Sequence, residues 1–319
     1  MKPIISAVVP VFNEKQNLPG FGAELAAALG GLNLPYEIIW VDDGSTDGSF
    51  GELAKLAAAP AQRALRLAKN YGQTAALAAG IAEARGEWIV TLDADGQNDP
   101  EDIPRLFAAA AAGVDVVSGW RRNRQDAFFT RIVPSRAANW IISAATGVKL
   151  HDFGCTLKIY RAEILKAADL YGEMHRFLPA ILGYAGASVT ELEVNHRPRV
   201  NGQSKYGIAR TFKVVLDLLT VKFMGDFITK PIYLFGGLSF ALVTASALMA
   251  AWTLYNKFHN GIFVKDQPLF LVAIFFAIVA VQFAFMGLMA EVLIRTYHSA
   301  NRKPPYAVAE RAGGENPRA

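Results

Sequence analysis

Two stretches near the carboxyl end, residues 232–255 and 268–290, contain no charged side chain. At about 1.5 Å of helical rise per residue, each outreaches the roughly 30 Å hydrocarbon layer of a bilayer. A core helix of that length normally carries polar residues along one face, so the pair predicts a two-helix transmembrane hairpin over 231–293. The linker NKFHNGIFVKDQ holds two Lys and one Asp, whereas Lys213, Lys222 and Lys230 precede the hairpin and Arg295, Arg302 and Lys303 follow it. The bias of basic residues places both flanks on the cytoplasmic side. The overall 52% of hydrophobic residues is therefore an average over two regimes. No secretory leader is expected: the early apolar run at 4–12 lacks a basic start and a cleavage site, and stops at Asn13-Glu14. A net charge of +4 suits an anionic membrane or a phosphorylated substrate without selecting either. The single cysteine, Cys155, precludes an internal disulfide.

Ahead of the hairpin, short apolar runs at 4–11, 36–41, 64–68, 88–92 and 114–118 alternate with helical stretches near 18–29, 48–58, 73–84 and 101–112. That alternation predicts an α/β fold with βαβ units and a mainly parallel sheet, whose ligands sit beyond the carboxyl ends of the strands. Residues 120–210 are less regular, with a helix expected near 130–145, a mixed segment at 151–170 and a strand at 188–194. The segment TFKVVLDLLTVKFM, 211–224, gathers Lys213, Asp217 and Thr220 on one helical face and reads as a helix lying in the membrane interface. The domain boundaries are thus 1–210, an amphipathic 211–230, the hairpin 231–293 and a cytoplasmic tail 294–319. From about 303 that tail is Pro-, Gly- and charge-rich and is expected to be mobile.

Three acidic motifs fall at successive strand ends. In LDADGQ, Asp93 and Asp95 are two apart, and on an extended chain both carboxylates point one way, toward a shared cation. A hard divalent ion held by one or two carboxylates keeps positions free for diphosphate oxygens and water. An EF-hand is excluded there, because Asn98 occupies the position that needs Gly. VDDGSTDGS, 41–49, ends a strand with Asp42 and Asp43, which can accept from a base or a ribose. It matches the EF-hand loop better, but lacks the closing Glu, Ala54 standing there, and no helix precedes it. VVPVFNE closes the first strand. Neither a G-x-G-x-x-G fingerprint nor a Walker A lysine is present, which leaves a metal as the charge partner for a diphosphate.

With VPVFNE, VDDGSTDGS, KNYGQ, LDADGQNDPEDIP, RRNRQD, HDFGC and NGQSKY together, the chain over residues 4–300 resembles the family-2 glycosyltransferases of GT-A fold. The resemblance is to their polyprenyl-phosphate subgroup, which includes dolichol-phosphate mannose synthase and bacterial undecaprenyl-phosphate aminoarabinose-type transferases. It implies a GT-A, Rossmann-like sheet with flanking helices, then the interfacial helix and two transmembrane helices, in a bacterial inner membrane. It implies inverting transfer from a nucleotide-sugar donor, UDP-sugar favoured, to a polyprenyl phosphate, with Mg²⁺ or Mn²⁺ and membrane lipid. No nucleic-acid partner is implied, and homo-oligomers are allowed. Pro10, Phe12 and Glu14 match nucleotide contacts, with Phe12 where the family more often has Tyr. Val41 and Asp43 match base and ribose contacts, and Asp93, Ala94 and Asp95 the diphosphate and metal site, Asp95 being the most direct ligand. Arg122 matches an arginine at the sugar-diphosphate site, and Arg199 with Lys205 a basic pair. Arg131 and Ser135 match positions that grip the lipid phosphate, and Asp152 an aspartate proposed as catalytic base. The family usually has Leu where Gly96 stands.

Arginine can hold phosphate in a bidentate way, which suits Arg122, Arg131 and Arg199, while Arg121 and Arg124 fit a solvated basic face against lipid. A phosphate acceptor is already anionic near neutral pH, so Asp152 serves equally well as an orienting group. Cys155 reads as packed, and His151, His175 and His196 show no metal-ligand spacing. A processive polysaccharide synthase would carry Q-x-x-R-W and more spanning helices, and neither is present. A nonenzymatic nucleotide-sugar-binding membrane scaffold would not require an intact D-x-D with its basic residues.

Overall fold

A computed structural model describes residues 2–122, 139, 142–143, 146–168, 170, 174–198, 231–299 and 308–312. The chain divides into two compact units, Met1–Val221 with Pro304–Ala319, and Lys222–Lys303.

The first unit is built on a mixed sheet. Its strands are β1 (Ile5–Val11), β2 (Tyr36–Asp42), β3 (Gln62–Leu67), β4 (Trp88–Thr91), β5 (Val116–Trp120), β6 (Lys158–Arg161), β7 (Val189–Glu193) and β8 (Val308–Ala312). Their spatial order is β7-β5-β6-β4-β1-β2-β3-β8. The central strands β4, β1, β2 and β3 run parallel, with Ile5 opposite Tyr36 and Trp88. Parallel strands joined by crossovers are covered on both faces, which is why β1 and β2 are near-continuous apolar runs. Successive side chains alternate between two cores. Ile5, Ala7, Val9 and Val11 pack with Leu18, Phe21 and Leu25 of α1 (Leu18–Gly30) and Leu106 of α4 (Ile103–Ala111). Val8, Ile39 and Val41 pack instead with Ala76, Leu77 and Ile81 of α3 (Gln73–Glu83). Between them in the chain, α2 (Ser49–Leu56) follows β2. The parallel strands all deliver their carboxyl ends to one edge, as the alternation predicted.

Two strands depart from expectation. The mixed segment 151–170 contains β6, which runs antiparallel between β4 and β5. Its sequence KIYR reads as polar, yet Lys158 is buried because its ammonium donates to the Phe153 carbonyl at 3.0 Å. The tail expected to be mobile returns to the sheet: β8 pairs antiparallel with β3, Leu65 facing Arg311 and Arg66 facing Glu310. The unpaired edge of β3 supplies the ladder partners that VAERA alone does not advertise.

The second unit contains two long helices, Pro231–His259 and Pro268–Ser299. Ser239 donates to the Ala280 carbonyl at 2.8 Å and Ser246 to that of Ala273 at 2.7 Å, so the helices run antiparallel with hydroxyls bridging them. Phe240, Phe258 and Leu271 lie on the outside, each more than two-thirds exposed. Both helices are long and apolar enough to cross a membrane, with mean hydropathy 1.8 over Leu234–His259 and 2.7 over Pro268–Ala290. The predicted interfacial segment 211–230 and most of the helix expected near 130–145 lie outside the described residues.

Candidate active site

The loops after β1 and β2 are knitted together by their own polar side chains. Asn13, in the left-handed region at φ 56°, donates its amide to Ser45 Oγ at 2.9 Å and accepts from the Thr46 amide at 2.9 Å. The Glu14 amide donates to Ser49 Oγ at 3.0 Å, and the Lys15 amide to Asp47 Oδ2 at 3.1 Å. The VFNE and DDGSTDGS motifs thus form one rim, in which Asp47 also caps the Ser49 amide at 2.9 Å. Glu14 keeps its carboxylate on Asn17 Nδ2 at 2.6 Å. Pro10 lies opposite Val41 in the ladder, and Val41, like Ala94, is buried in the core, so these two reach a ligand only through backbone. Phe12 is partly buried at the start of the rim.

Asp43 joins this rim to the loop after β3. Its Oδ1 accepts from the Tyr71 amide at 2.7 Å and its Oδ2 from the Gly72 amide at 2.9 Å. Burial pushes its carboxyl up, with the Asp42 charge adding, against those two amides. The contact is possible because Gly44, at φ +69°, sits against the backbone of Lys69 and Asn70, where a Cβ would lie 2.5 Å from the Lys69 carbonyl carbon.

The acidic pair follows β4. Asp93 and Asp95 do not continue the strand: β4 ends at Thr91, and the chain enters a turn at Ala94 and Asp95, completed by Gly96 at φ +73°. The extended-chain geometry expected for the pair is therefore replaced by a turn, in which Asp95 Oδ1 accepts from the Gln97 amide at 3.1 Å. Asp93 Oδ1 accepts from Gln73 Nε2 at 2.7 Å, at the start of α3. The two carboxylates remain within electrostatic reach of each other. Burial and the Asp95 charge push the Asp93 carboxyl up to about 7, opposed by Thr156, Arg121 and Arg176.

Such a repelling, largely desolvated pair of hard oxygen donors is what a divalent cation relieves, so Asp93 and Asp95 fit one. Among the described residues no cluster of three or more His, Cys, Asp or Glu side chains suits a metal.

The two arginines at the end of β5 part company. Arg121, assigned by its sequence to a solvated face, is largely enclosed and bears on Asp93; its side chain is 14% exposed and pairs with Asp152 at 2.7 Å. Arg122, matched to the sugar-diphosphate site, is 62% exposed and pairs with Glu193 at 2.7 Å, its guanidinium 5.7 Å from the Trp120 ring. It lines a cleft of about 330 Å³ with Asp102, Arg105 and His196. β5 ends at Trp120 and the Arg122 amide turns back to the Trp120 carbonyl at 3.0 Å, so the two neighbouring arginines diverge, one to Asp152 and the other to Glu193. Arg131, Ser135, Arg199 and Lys205 lie outside the described residues.

Several side chains that reach this site had no motif signal of their own. Gln73 was visible only within KNYGQ. His175 Nδ1 shares a 2.7 Å hydrogen bond with Thr74 Oγ1 on α3, which fixes the turn carrying Arg176. Asn98 Nδ2 donates to Thr156 Oγ1 at 2.7 Å. Arg197 joins the segment after β7 to the acidic loop: Nη2 donates to Asp99 Oδ1 at 2.6 Å, Nη1 to Glu24 Oε2 at 2.6 Å, and its amide to the Gln97 carbonyl at 2.9 Å. Cys155 is fully buried, and burial pushes its thiol up to about 11, which makes it a packing residue.

Residues 6–168 match the family described as Glycosyl transferase family 2. Over 311 residues the chain is 42% identical to the dodecaprenyl-phosphate galacturonate synthase of Rhizobium johnstonii, covering 96% of this chain and 92% of that protein. It is 37% identical over 314 residues to the undecaprenyl-phosphate 4-deoxy-4-formamido-L-arabinose transferase of Aeromonas hydrophila, covering 96% and 93%. Among solved structures, glucosyl-3-phosphoglycerate synthase from Mycobacterium tuberculosis, in complex with Mn²⁺, UDP-glucose and phosphoglyceric acid, superposes with a TM-score of 0.51. That likeness covers 70% of this chain and 79% of the other at 17% identity, and is one of fold.

Proposed function

The chain belongs to glycosyl transferase family 2, and from that premise we propose that it transfers a sugar from a nucleotide-sugar donor to a polyprenyl phosphate, with inversion, at the cytoplasmic face of a bacterial inner membrane. The observation that carries this reading is the acidic pair Asp93 and Asp95 at the end of a central parallel strand, faced by Gln73 and Arg121. The rim formed by residues 12–15 and 43–49 receives the nucleoside, with Asp43 and Glu14 as acceptors for its hydroxyls and base. A Mg²⁺ or Mn²⁺ ion held by Asp93 and Asp95 would neutralise the charge that grows on the departing diphosphate. Gln73 holds Asp93 in orientation, and Arg121 brings a guanidinium to the phosphate oxygens. The acceptor's phosphate oxygen attacks the anomeric carbon from the face opposite the diphosphate, so the chain supplies orientation and electrostatics more than proton transfer. The two long apolar helices would anchor the chain in the bilayer that carries the acceptor. UDP is the favoured nucleotide, and the product serves envelope glycan or lipid modification.

The test is full-length protein in detergent with undecaprenyl phosphate, Mn²⁺ and a panel of nucleotide sugars that includes UDP-galacturonate, read by mass spectrometry of the lipid. A lipid gaining one sugar residue is expected, and Asp95→Asn should abolish it. A panel giving no sugar-bearing lipid, or full activity in Asp95→Asn, refutes the reading.

A further inference from the structure

The Asp152 carboxylate is held by several donors at once. Arg121 Nε donates to Oδ2 at 2.7 Å and Nη2 to Oδ1 at 3.0 Å, the two-pronged pairing that only arginine makes. The Gly154 amide donates to Oδ1 at 3.0 Å, and the Arg121 amide approaches Oδ2 at 3.4 Å. Both side chains are largely enclosed, 14% and 5% exposed. A general base needs a lone pair aimed at the proton it takes and a carboxylate not already committed to a cation. Asp152 meets neither condition. Arg121 has donor capacity to spare, since its Nη1 makes no hydrogen bond among the described residues and Asp152 occupies only Nε and Nη2.

The surroundings are arranged around this pair. A Cβ at Gly154 would stand 3.2 Å from Arg121 Nη2 and 3.4 Å from Asp152 Oδ1, so the glycine of HDFGC keeps the space that the pairing fills. Among the described residues, Lys158, Cys155 and Asp93 bear on the guanidinium or its partner, and Arg176 bears on Lys158 and Asp93. Lys158 spends a donor on the Phe153 carbonyl, which fixes the backbone beside Asp152.

We propose that Asp152 is a positioning residue that acts through Arg121: it locks the guanidinium so that Nη1 meets an anionic phosphate oxygen, and it takes up no proton in the reaction. The proposal rests on the transferase reading above. That phosphate belongs either to the donor diphosphate or to the lipid acceptor, and kinetics with each substrate varied in turn separate the two.

The experiment uses the full-length protein, undecaprenyl phosphate and the nucleotide sugar that gives product in the panel. Arg121→Lys and Asp152→Asn should each lower kcat/KM for one of the two substrates about 100-fold, a typical loss for a displaced electrostatic donor. Because they act as one unit, the double variant should be no worse than about threefold below the weaker single variant. The pH profile of Asp152→Asn should parallel the wild type between pH 6 and 9. Gly154→Ala, which removes no charge and no hydrogen bond, should lower the same kcat/KM about tenfold with an unshifted thermal midpoint. A double variant with losses that multiply to about 10⁴, or an acidic limb present in the wild type and absent from Asp152→Asn, overturns the proposal. Where Asp152→Asn does not fold, Gly154→Ala decides alone, and unchanged kinetics there overturn it equally. A wild type that makes no sugar-bearing lipid refutes the transferase reading instead.

Discussion

Replacing Gly44 by Ala tests whether the nucleotide rim depends on a backbone contact closed to any side chain. Two costs add. At φ +69° an L residue with a Cβ is strained by about 1–2 kcal/mol. The new Cβ would also lie 2.5 Å from the Lys69 carbonyl carbon, 2.7 Å from the Asn70 nitrogen and 2.9 Å from the Lys69 Cα. These are backbone atoms, so the strain cannot be relieved by turning a side chain, and overpacking of this kind costs about 1–3 kcal/mol more. Gly96→Ala is the internal control, since Gly96 has φ +73° but nothing within 4 Å of its virtual Cβ. Only the first cost applies there. At about 2–4 °C per kcal/mol for a unit of this size, the extra cost of about 1–3 kcal/mol should make Gly44→Ala melt about 2–12 °C below Gly96→Ala. Thermal melting of the full chain in detergent, followed by intrinsic fluorescence, measures the difference. Because Lys69 and Asn70 immediately precede the two amides that hold Asp43, Gly44→Ala should also weaken UDP binding by at least about tenfold. Equal melting shifts in the two variants would refute the close approach, and unchanged UDP affinity would refute its link to the rim.

Asp93 sets a pH dependence whose sign is opposite to that of most carboxylates. Its folded value near 7 lies above its ordinary 3.8, so between these the folded chain keeps a proton that the unfolded chain has released, and stability falls as pH rises. Asp93→Asn should gain melting temperature relative to wild type from pH 5 to 7 and level off above; a constant difference would contradict this. Arg197→Ala leaves buried Asp99 with fewer donors and should cost about 1–3 kcal/mol in urea unfolding while lowering transfer, whereas loss of Glu24 as a half-exposed partner should not register. In the helical pair, Ser239→Ala and Ser246→Ala should each weaken helix association by about 0.6 kcal/mol in mixed-micelle unfolding, and no change would show that these hydroxyls merely fill space.

The central sheet was legible because its strands are buried on both faces and announce themselves as near-continuous apolar runs, as β1 and β2 do. The strands that escaped obtain their stability from neighbours. Lys158 is tolerated in β6 only through a carbonyl five residues back, and β8 depends on the edge of β3, and no local pattern encodes either. At the candidate site, the motif singled out Asp93 and Asp95 but could not give their turn, since it follows from where β4 stops. The different surroundings of Arg121 and Arg122 were beyond sequence for a sharper reason. The chain turns just beyond the end of β5, and two consecutive arginines look identical to any pattern. The Thr74–His175 and Arg197–Asp99 bonds join residues 101 and 98 positions apart, distances over which spacing carries no information.

That β8 is the outermost strand of the sheet gives the hairpin an unexpected status: in chain order it is an insertion, lodged between the seventh and eighth strands of one sheet. During synthesis the flank of β3 must therefore wait bare until both greasy helices have left the ribosome and the last few residues follow. A polypeptide cut off just after the hairpin would carry every candidate ligand for sugar and metal, yet expose a sticky seam to its fellows.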